Sequence, residues 1–82
     1  MQKTHEGKII AALVQHFKML RLEQGLSHNK LAQKACITRP AISQIESGKR
    51  IPTLMVCLKI SHALGKKLGD LIATFEDEFY QK

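Results

Sequence analysis

The segment from Leu26 to Pro52, LSHNKLAQKACITRPAISQIESGKRIP, constrains this chain more than any other. It carries two helix-start signals so close together that only two short helices joined by a tight turn can satisfy both. Ser27 offers a hydroxyl to the unpaired amides of a first turn, and Leu31, Ala32 and Ala35 then recur at three- and four-residue spacing on one face. The chain turns through Ala35, Cys36 and Ile37, and Thr38 offers a second cap. Placed at about 100° per residue, Arg39, Ser43, Ser47, Pro40 and Gln44 share an arc of roughly 140°, with Ala41, Ile42 and Ile45 opposite. The second helix therefore has a small apolar face for packing and an outer face of guanidinium, amide and hydroxyl groups. Gly48 suits the left-handed residue that ends a helix, and Lys49 and Arg50 follow it.

The rest of the chain reads as helix too. From about residue 8 to 24, Ile10, Leu13, Phe17 and Leu20 form one stripe, and Gly25 stops it. Pro52 and Thr53 open a fourth helix in which Leu54, Leu58, Ser61 and Leu64 are expected to face inward, with Gly65 closing it. A fifth is expected over about 68–80, with Leu68, Leu71, Ile72, Phe75 and Phe79 as its stripe. No strand alternation, proline-rich linker or repeat intervenes. The expected fold is all-α, a five-helix orthogonal bundle forming one domain over residues 1–82, with its core over about 8–72 and the paired short helices over about 27–47. Eighty-two residues can enclose one hydrophobic core, of marginal stability unless well packed or dimeric.

Charge narrows the partner. Residues 1–52 hold nine Lys/Arg against three Asp/Glu, whereas residues 53–82 hold four of each, so the formal charge of +6 lies wholly on the part with the paired helices. A polyanion is the natural partner of such a surface. The longest apolar run, Ile9 to Val14, falls far short of the ~18 residues of a membrane span, and no signal peptide is visible, so a cytoplasmic location is expected. Cys36 and Cys57 have no Cys-x-x-Cys spacing, and His5, His16, His28 and His62 have no ligand spacing to them, so neither metal nor cofactor is expected. Both thiols read as reduced and as small core hydrophobes. There is no phosphate-cradling glycine loop or nucleophile beside a base, and Glu76, Asp77 and Glu78 read as a solvated face. An enzyme is not expected.

Residues 17–72 resemble the Cro and lambda-repressor-type helix-turn-helix family, also called the xenobiotic response element family of bacterial and phage regulators. The resemblance rests on Arg21 and the Leu26-Ser27 lead-in, Leu31-Ala32, Ile42 with Ile45 and Glu46, the Ser47-Gly48-Lys49 exit, and Leu64-Gly65 followed by Leu68 and Leu71. It implies a lambda repressor-like DNA-binding domain whose third helix enters the major groove. It also implies a charge pair, Arg21 with Glu46, tying the first helix to the end of the third. Arg39 would read guanine through the O6 and N7 edge and Gln44 would read adenine, with Ser43 a weaker reader. Pro40 stands where relatives often carry a polar reader and offers only apolar contact, as to a thymine methyl. Phosphates would be met by Ser27, His28 and Asn29 on one side of the groove and by Ser47, Lys49 and Arg50 on the other. A phosphate contact from Arg39, carrying no sequence information, is the competing assignment.

Four departures from the family pattern matter. Pro40 disfavours helical geometry at Arg39, which would start the third helix one residue late. His28 replaces the common glutamine, so its protonation would strengthen DNA binding below about pH 6.5. Cys36 replaces the usual turn glycine, at a cost of about 1 to 2 kcal/mol if its backbone is left-handed. Lys66 and Lys67 replace an apolar residue and a cap, which would leave the join between the fourth and fifth helices open.

The apolar ends bear on assembly. The stripe through Phe75 and Phe79, and the extra apolar turn at Ile9 and Ile10, either cover one another within the monomer or form a two-fold interface. The choice for that interface is Phe75, Phe79 and Tyr80. The function expected is a sequence-specific double-stranded DNA-binding transcriptional regulator, a repressor acting as a homodimer on a palindromic operator, bacterial or phage-encoded and associated with the nucleoid when bound. With no sensing domain after the reading unit, regulation would come from protein level, a partner protein or neighbouring sites. Phage Cro-like repressors, controllers of restriction-modification systems and antitoxins all fit. The alternative from another class is a protein-interaction module, such as the antitoxin of a toxin-antitoxin pair.

Overall fold

The computed structural model describes residues 4–79. Five helices follow in chain order: α1 (His5–Glu23), α2 (His28–Ala35), α3 (Arg39–Glu46), α4 (Leu54–Ala63) and α5 (Leu68–Phe79). No strand occurs among the described residues, and the fold is an all-α bundle of five helices. Four of the helices begin in one way. Thr4, Ser27, Thr38 and Thr53 each hold an extended backbone and accept the amide three residues on, a cap worth about 1 kcal/mol apiece. The Thr4 cap starts α1 three residues earlier than its apolar stripe indicated.

Every helix contributes to one core, through Leu13, Phe17 and Leu20 of α1, Leu31 of α2, Ile42 and Ile45 of α3, Ile60 of α4 with Leu64 just after it, and Leu68 of α5. α2 packs against α3 and α4, and α1 braces α3 on one side and α5 on the other. Leu71, Ile72 and Phe75 lie partly buried against this core. The Phe75 ring meets His16 edge-on at 5.7 Å between centroids, and His5 Nδ1 lies 3.0 Å from the Phe79 carbonyl oxygen. Tyr80, the third residue of the expected interface, lies outside the described residues.

Three expectations are corrected. Leu54 and Leu58 do not face inward: they are 68% and 38% exposed, and the buried face of α4 is Cys57, Ile60 and Ser61, continued by Leu64. α4 is apolar nearly all round, so its periodicity has no clear phase and packing sets its rotation. Nor does α3 start late. Thr38 is its cap and Arg39 its first residue, which leaves Pro40 second, where no amide is needed. The α4–α5 join is closed as well. Ser61, fully buried, donates its hydroxyl to the Lys66 carbonyl at 2.8 Å, and the Lys66 amide returns to the Ser61 carbonyl at 2.9 Å. A clasp of one side-chain and one backbone hydrogen bond replaces the missing apolar contact.

Cys36 closes α2 with φ 57°, where Gly25, Gly48 and Gly65 do the same service with φ between 68° and 80°. It is the one non-glycine residue in this region among those described. Its Cβ costs about 1 to 2 kcal/mol there, of which the greater unfolded-state freedom of glycine takes back some. Cys36→Gly is therefore expected to raise stability by about 1 kcal/mol, or roughly 4 to 8 °C in melting temperature for a domain this size, measured by circular dichroism. An unchanged or lower melting point would show that the turn carries no strain.

Candidate nucleic-acid interface

The outer face of α3 emerges as its helical arc dictates. Ala41, Ile42 and Ile45 are buried, while Arg39, Pro40 and Gln44 are exposed and Ser43 is half-buried. An eight-residue helix has too few internal hydrogen bonds to stand alone in water. Its orientation must come from what holds its ends.

Arg21, on the last turn of α1, holds the C-terminal end. Its Nε donates to Glu46 Oε2 at 2.7 Å and its Nη2 to Glu46 Oε1 at 3.0 Å, while Nη1 donates to the Leu26 carbonyl at 2.7 Å. The two side chains are each only 9% exposed. The planar fork thus joins three elements: α1, the lead-in to α2 and the end of α3. His28 adds a donor that sequence reasoning missed, its Nε2 lying 3.1 Å from Glu46 Oε1. Burial acts to raise the Glu46 carboxyl, but the hydrogen bonds from Arg21 and His28, with their charge, outweigh it and hold the group below its ordinary 4.5. His28 was expected to face phosphate. Its ring is instead turned onto this carboxylate, while its backbone amide stays in the first turn of α2.

An open cleft of about 270 Å³ runs over the cluster, lined by Lys18, Arg21, His28, Ser43, Glu46 and Ser47. Lys18 is a cation at this surface that sequence reasoning did not single out. It stands three residues before Arg21, hence on the same face of α1, and that spacing was the available signal.

The groove-side exits are equally fixed. At the start of α2 the Ser27 oxygen accepts the Lys30 amide at 3.1 Å. The amides of His28 and Asn29 precede the first intrahelical bond, so they are left to solvent or an anion. Past α3 the chain folds back on one oxygen: the Gln44 carbonyl accepts the Lys49 amide at 2.9 Å, the Arg50 amide at 3.2 Å and the Ser47 hydroxyl at 3.1 Å. The Lys49 and Arg50 side chains are exposed on the resulting turn. The Ser47 hydroxyl proton is already engaged there, so this residue is the least available of the expected phosphate donors.

Among the described residues, no helix is long and apolar enough to cross a membrane, and no group of three His, Cys, Asp or Glu is placed to hold a metal. Burial pushes the Cys57 thiol above its ordinary 9.0, consistent with the small core hydrophobe expected, whereas Cys36, expected in the core as well, is exposed because it caps the end of α2.

Two short helices at a fixed angle, one braced by the core and the other turning a polar face outward between two donor-rich edges, define a helix-turn-helix unit. The chain belongs to the helix-turn-helix family of Cro/C1 type, whose family model matches residues 17–71. It is 37% identical over 54 residues to the uncharacterized HTH-type transcriptional regulator YgzD of Bacillus subtilis, a match covering 66% of this chain and 82% of that protein. It is 34% identical over 61 residues to the uncharacterized HTH-type transcriptional regulator MJ0272 of Methanocaldococcus jannaschii, covering 74% and 92%. A third such regulator, from Methanothermobacter thermautotrophicus, is 34% identical over 58 residues, covering 70% and 84%. No solved structure gives a significant match.

Because Arg21 and Glu46 are both out of water, deleting one strands the other. Arg21→Ala is expected to cost about 3 to 5 kcal/mol, lowering the melting temperature by more than about 10 °C. A variant melting with the parent would show the pair to be structurally idle. The lowered folded-state value of Glu46 also sets a pH window. Its stabilisation is complete above 4.5 and is withdrawn as pH falls through the lower value in the folded protein. In urea titrations at about pH 6 and about pH 3, the parent should lose more stability than Glu46→Gln between the two; equal losses would deny the linkage.

Proposed function

We propose that this chain, a DNA-binding regulator of the helix-turn-helix type, reads a specific duplex sequence through α3 as a homodimer and represses transcription by occupying an operator. The observation that carries the reading is the combination of an exposed Arg39–Gln44 face with a rigid mount. The face can approach bases because Arg39, Pro40 and Gln44 are exposed. The mount can hold register because Arg21 ties α1, the α2 lead-in and Glu46 together.

In this reading α3 lies in the major groove. Arg39, at the first position of the helix, donates to guanine O6 and N7, and Gln44 pairs with an adenine edge. Ser43 and the Pro40 ring fill the space between them. On one rim the first-turn amides of α2, with Ser27 and Asn29, meet a phosphate at the positive end of the helix dipole. On the other, Lys49 and Arg50 do so, and Lys18 joins them through the cleft. Phosphate contacts fix register, and base contacts carry the sequence information. Two copies related by a two-fold axis would place their α3 helices about 34 to 36 Å apart and match a palindromic site.

Selection of bound duplexes from a random pool at two salt concentrations tests this. A two-fold site with half-sites about one turn apart is the expected product, and Arg39→Ala should relax one base pair per half-site by about 1 to 3 kcal/mol. Lys49→Ala should weaken all sequences alike and reduce the salt slope by about 1 for each phosphate no longer neutralised. Failure to enrich any sequence, with binding abolished at the higher salt, would leave only non-specific attraction and overturn the proposal.

A further inference from the structure

One titratable side chain on the DNA-facing side has no task in the reading above. The His28 ring lines the open cleft over the Arg21–Glu46 pair, its side chain 28% exposed and its Nε2 3.1 Å from Glu46 Oε1. The donors around that carboxylate hold it ionised, so it can only accept, and the hydrogen between the two groups must belong to Nε2. A neutral ring therefore carries its one proton at Nε2, and Nδ1 is a bare acceptor. The two nitrogens of an imidazole point away from one another. Nδ1 is thus turned from Glu46, and it has no hydrogen-bond partner among the described residues.

We propose that DNA binding by this chain takes up a proton at His28, whose imidazolium keeps Nε2 on Glu46 and donates Nδ1–H to a backbone phosphate. The inference rests on the DNA-reading proposal above and adds a regulator to it, the proton. One proton passes from solvent to Nδ1 in each bound copy, and a phosphate oxygen accepts the new hydrogen bond.

Three features fix the sign. The first is the chemistry of the partner. A phosphodiester oxygen only accepts, so a neutral ring would set the Nδ1 lone pair against those of the phosphate, whereas the imidazolium meets it with a charge-assisted donor. The second is position. His28 is the first residue of α2, and its own amide is left open beside that of Asn29, so the phosphate assigned to that rim lies within reach of the ring. The third is charge. Facing the ring are Lys18 and Arg21 from α1 and Glu46 from α3, and α4, which also packs on α2, lends the cleft no charged group. Lys18 and Arg21 oppose a further positive charge and Glu46 favours it. An arriving phosphate adds the negative charge that tips this balance toward the imidazolium. By linkage, the proton then favours the phosphate by the same factor. Glu46 does not take up the proton instead, because its carboxyl is held below 4.5.

The other histidines are not placed to do this. His5 reaches the Phe79 carbonyl and His16 packs on Phe75, both on the α1–α5 side, and His62 lies in the last turn of α4. A glutamine at position 28 can donate its amide to Glu46 and carries no charge at any pH. It is therefore the control that keeps the bond and removes the proton.

The test is affinity for the selected duplex and for a scrambled one, by fluorescence anisotropy between about pH 6 and about pH 8 at constant ionic strength, the span in which histidine ordinarily titrates. The parent and His28→Gln are compared, with thermal melting of each recorded at each pH. Because the contact is with phosphate, the parent should bind both duplexes about fivefold or more tightly at the acid end, and His28→Gln should lose most of that gain. Calorimetric titration at neutral pH, in two buffers of different ionisation enthalpy, should find proton uptake by the parent and none by the variant. A parent whose affinity is flat or falls on acidification, or a variant that keeps the gain, would overturn proton coupling at His28. Preference for the selected duplex, if retained, would then leave the regulator standing. Equal affinity for the two duplexes at every pH would overturn the DNA-reading proposal itself, whatever the slope. If His28→Gln melts early, nitrogen NMR of the parent's histidine rings decides. On adding DNA, His28 should pass from the Nε2–H tautomer to the doubly protonated ring, and an unchanged ring would sink the inference.

Discussion

A single guanidinium is the constraint on which the rest of this molecule depends. Arg21 directs its donors to the Glu46 carboxylate and the Leu26 carbonyl, so one rigid plane fixes the end of α1, the entry to α2 and the exit of α3. Neither α2 nor α3 exceeds eight residues, too few to be stable as isolated helices. Apolar packing through Leu31, Ile42 and Ile45 keeps them in place but is non-directional. The ion pair supplies direction. A buried pair of this kind adds little net stability over an apolar replacement, so its value here lies in the angle and register it gives α3, which the proposed reading of a DNA groove requires.

The same cluster resolves an electrostatic conflict. Glu46 stands at the rim of a surface whose proposed partner is a polyanion, and an unpaired carboxylate there would repel phosphate. Arg21 and His28 both converge on it, and Lys18 lines the same cleft. The carboxylate is thus turned inward and neutralised, and the outward field of the surface remains positive. The segregation of charge in the sequence works in the same direction, with the entire excess of +6 on residues 1–52.

How much of this was legible beforehand depends on how local each signal was. Caps are local, and Ser27, Thr38 and Thr53 marked their helices correctly because a hydroxyl before an apolar run has few other uses. The left-handed turn at Cys36 and the Arg21–Glu46 pair were legible through family spacing, since neither follows from composition or periodicity. The rotation of α4 was not. Its residues 54–60, LMVCLKI, are apolar on every side but one, and hydrophobicity cannot say which side is inward when there is little contrast. The turn of His28 toward Glu46 was hidden for a different reason: it depends on the distance between two elements that only the assembled core determines.

That assembled core also explains why a small domain would tolerate exposed leucine and methionine. All five helices feed one interior, and the sides of the bundle differ in character. The α1–α5 side closes the core with partly buried aromatic groups, and the α2–α3 side is polar, cationic and held rigid. α4 is the helix whose outer side neither the core nor the DNA-facing surface claims. Desolvating leucine and methionine contributes about 25 cal/mol per Å², and at Leu54 and Met55 that contribution is left unused within the bundle. A bundle this size is only marginally stable, so its one shared interior has to hold all five helices in place.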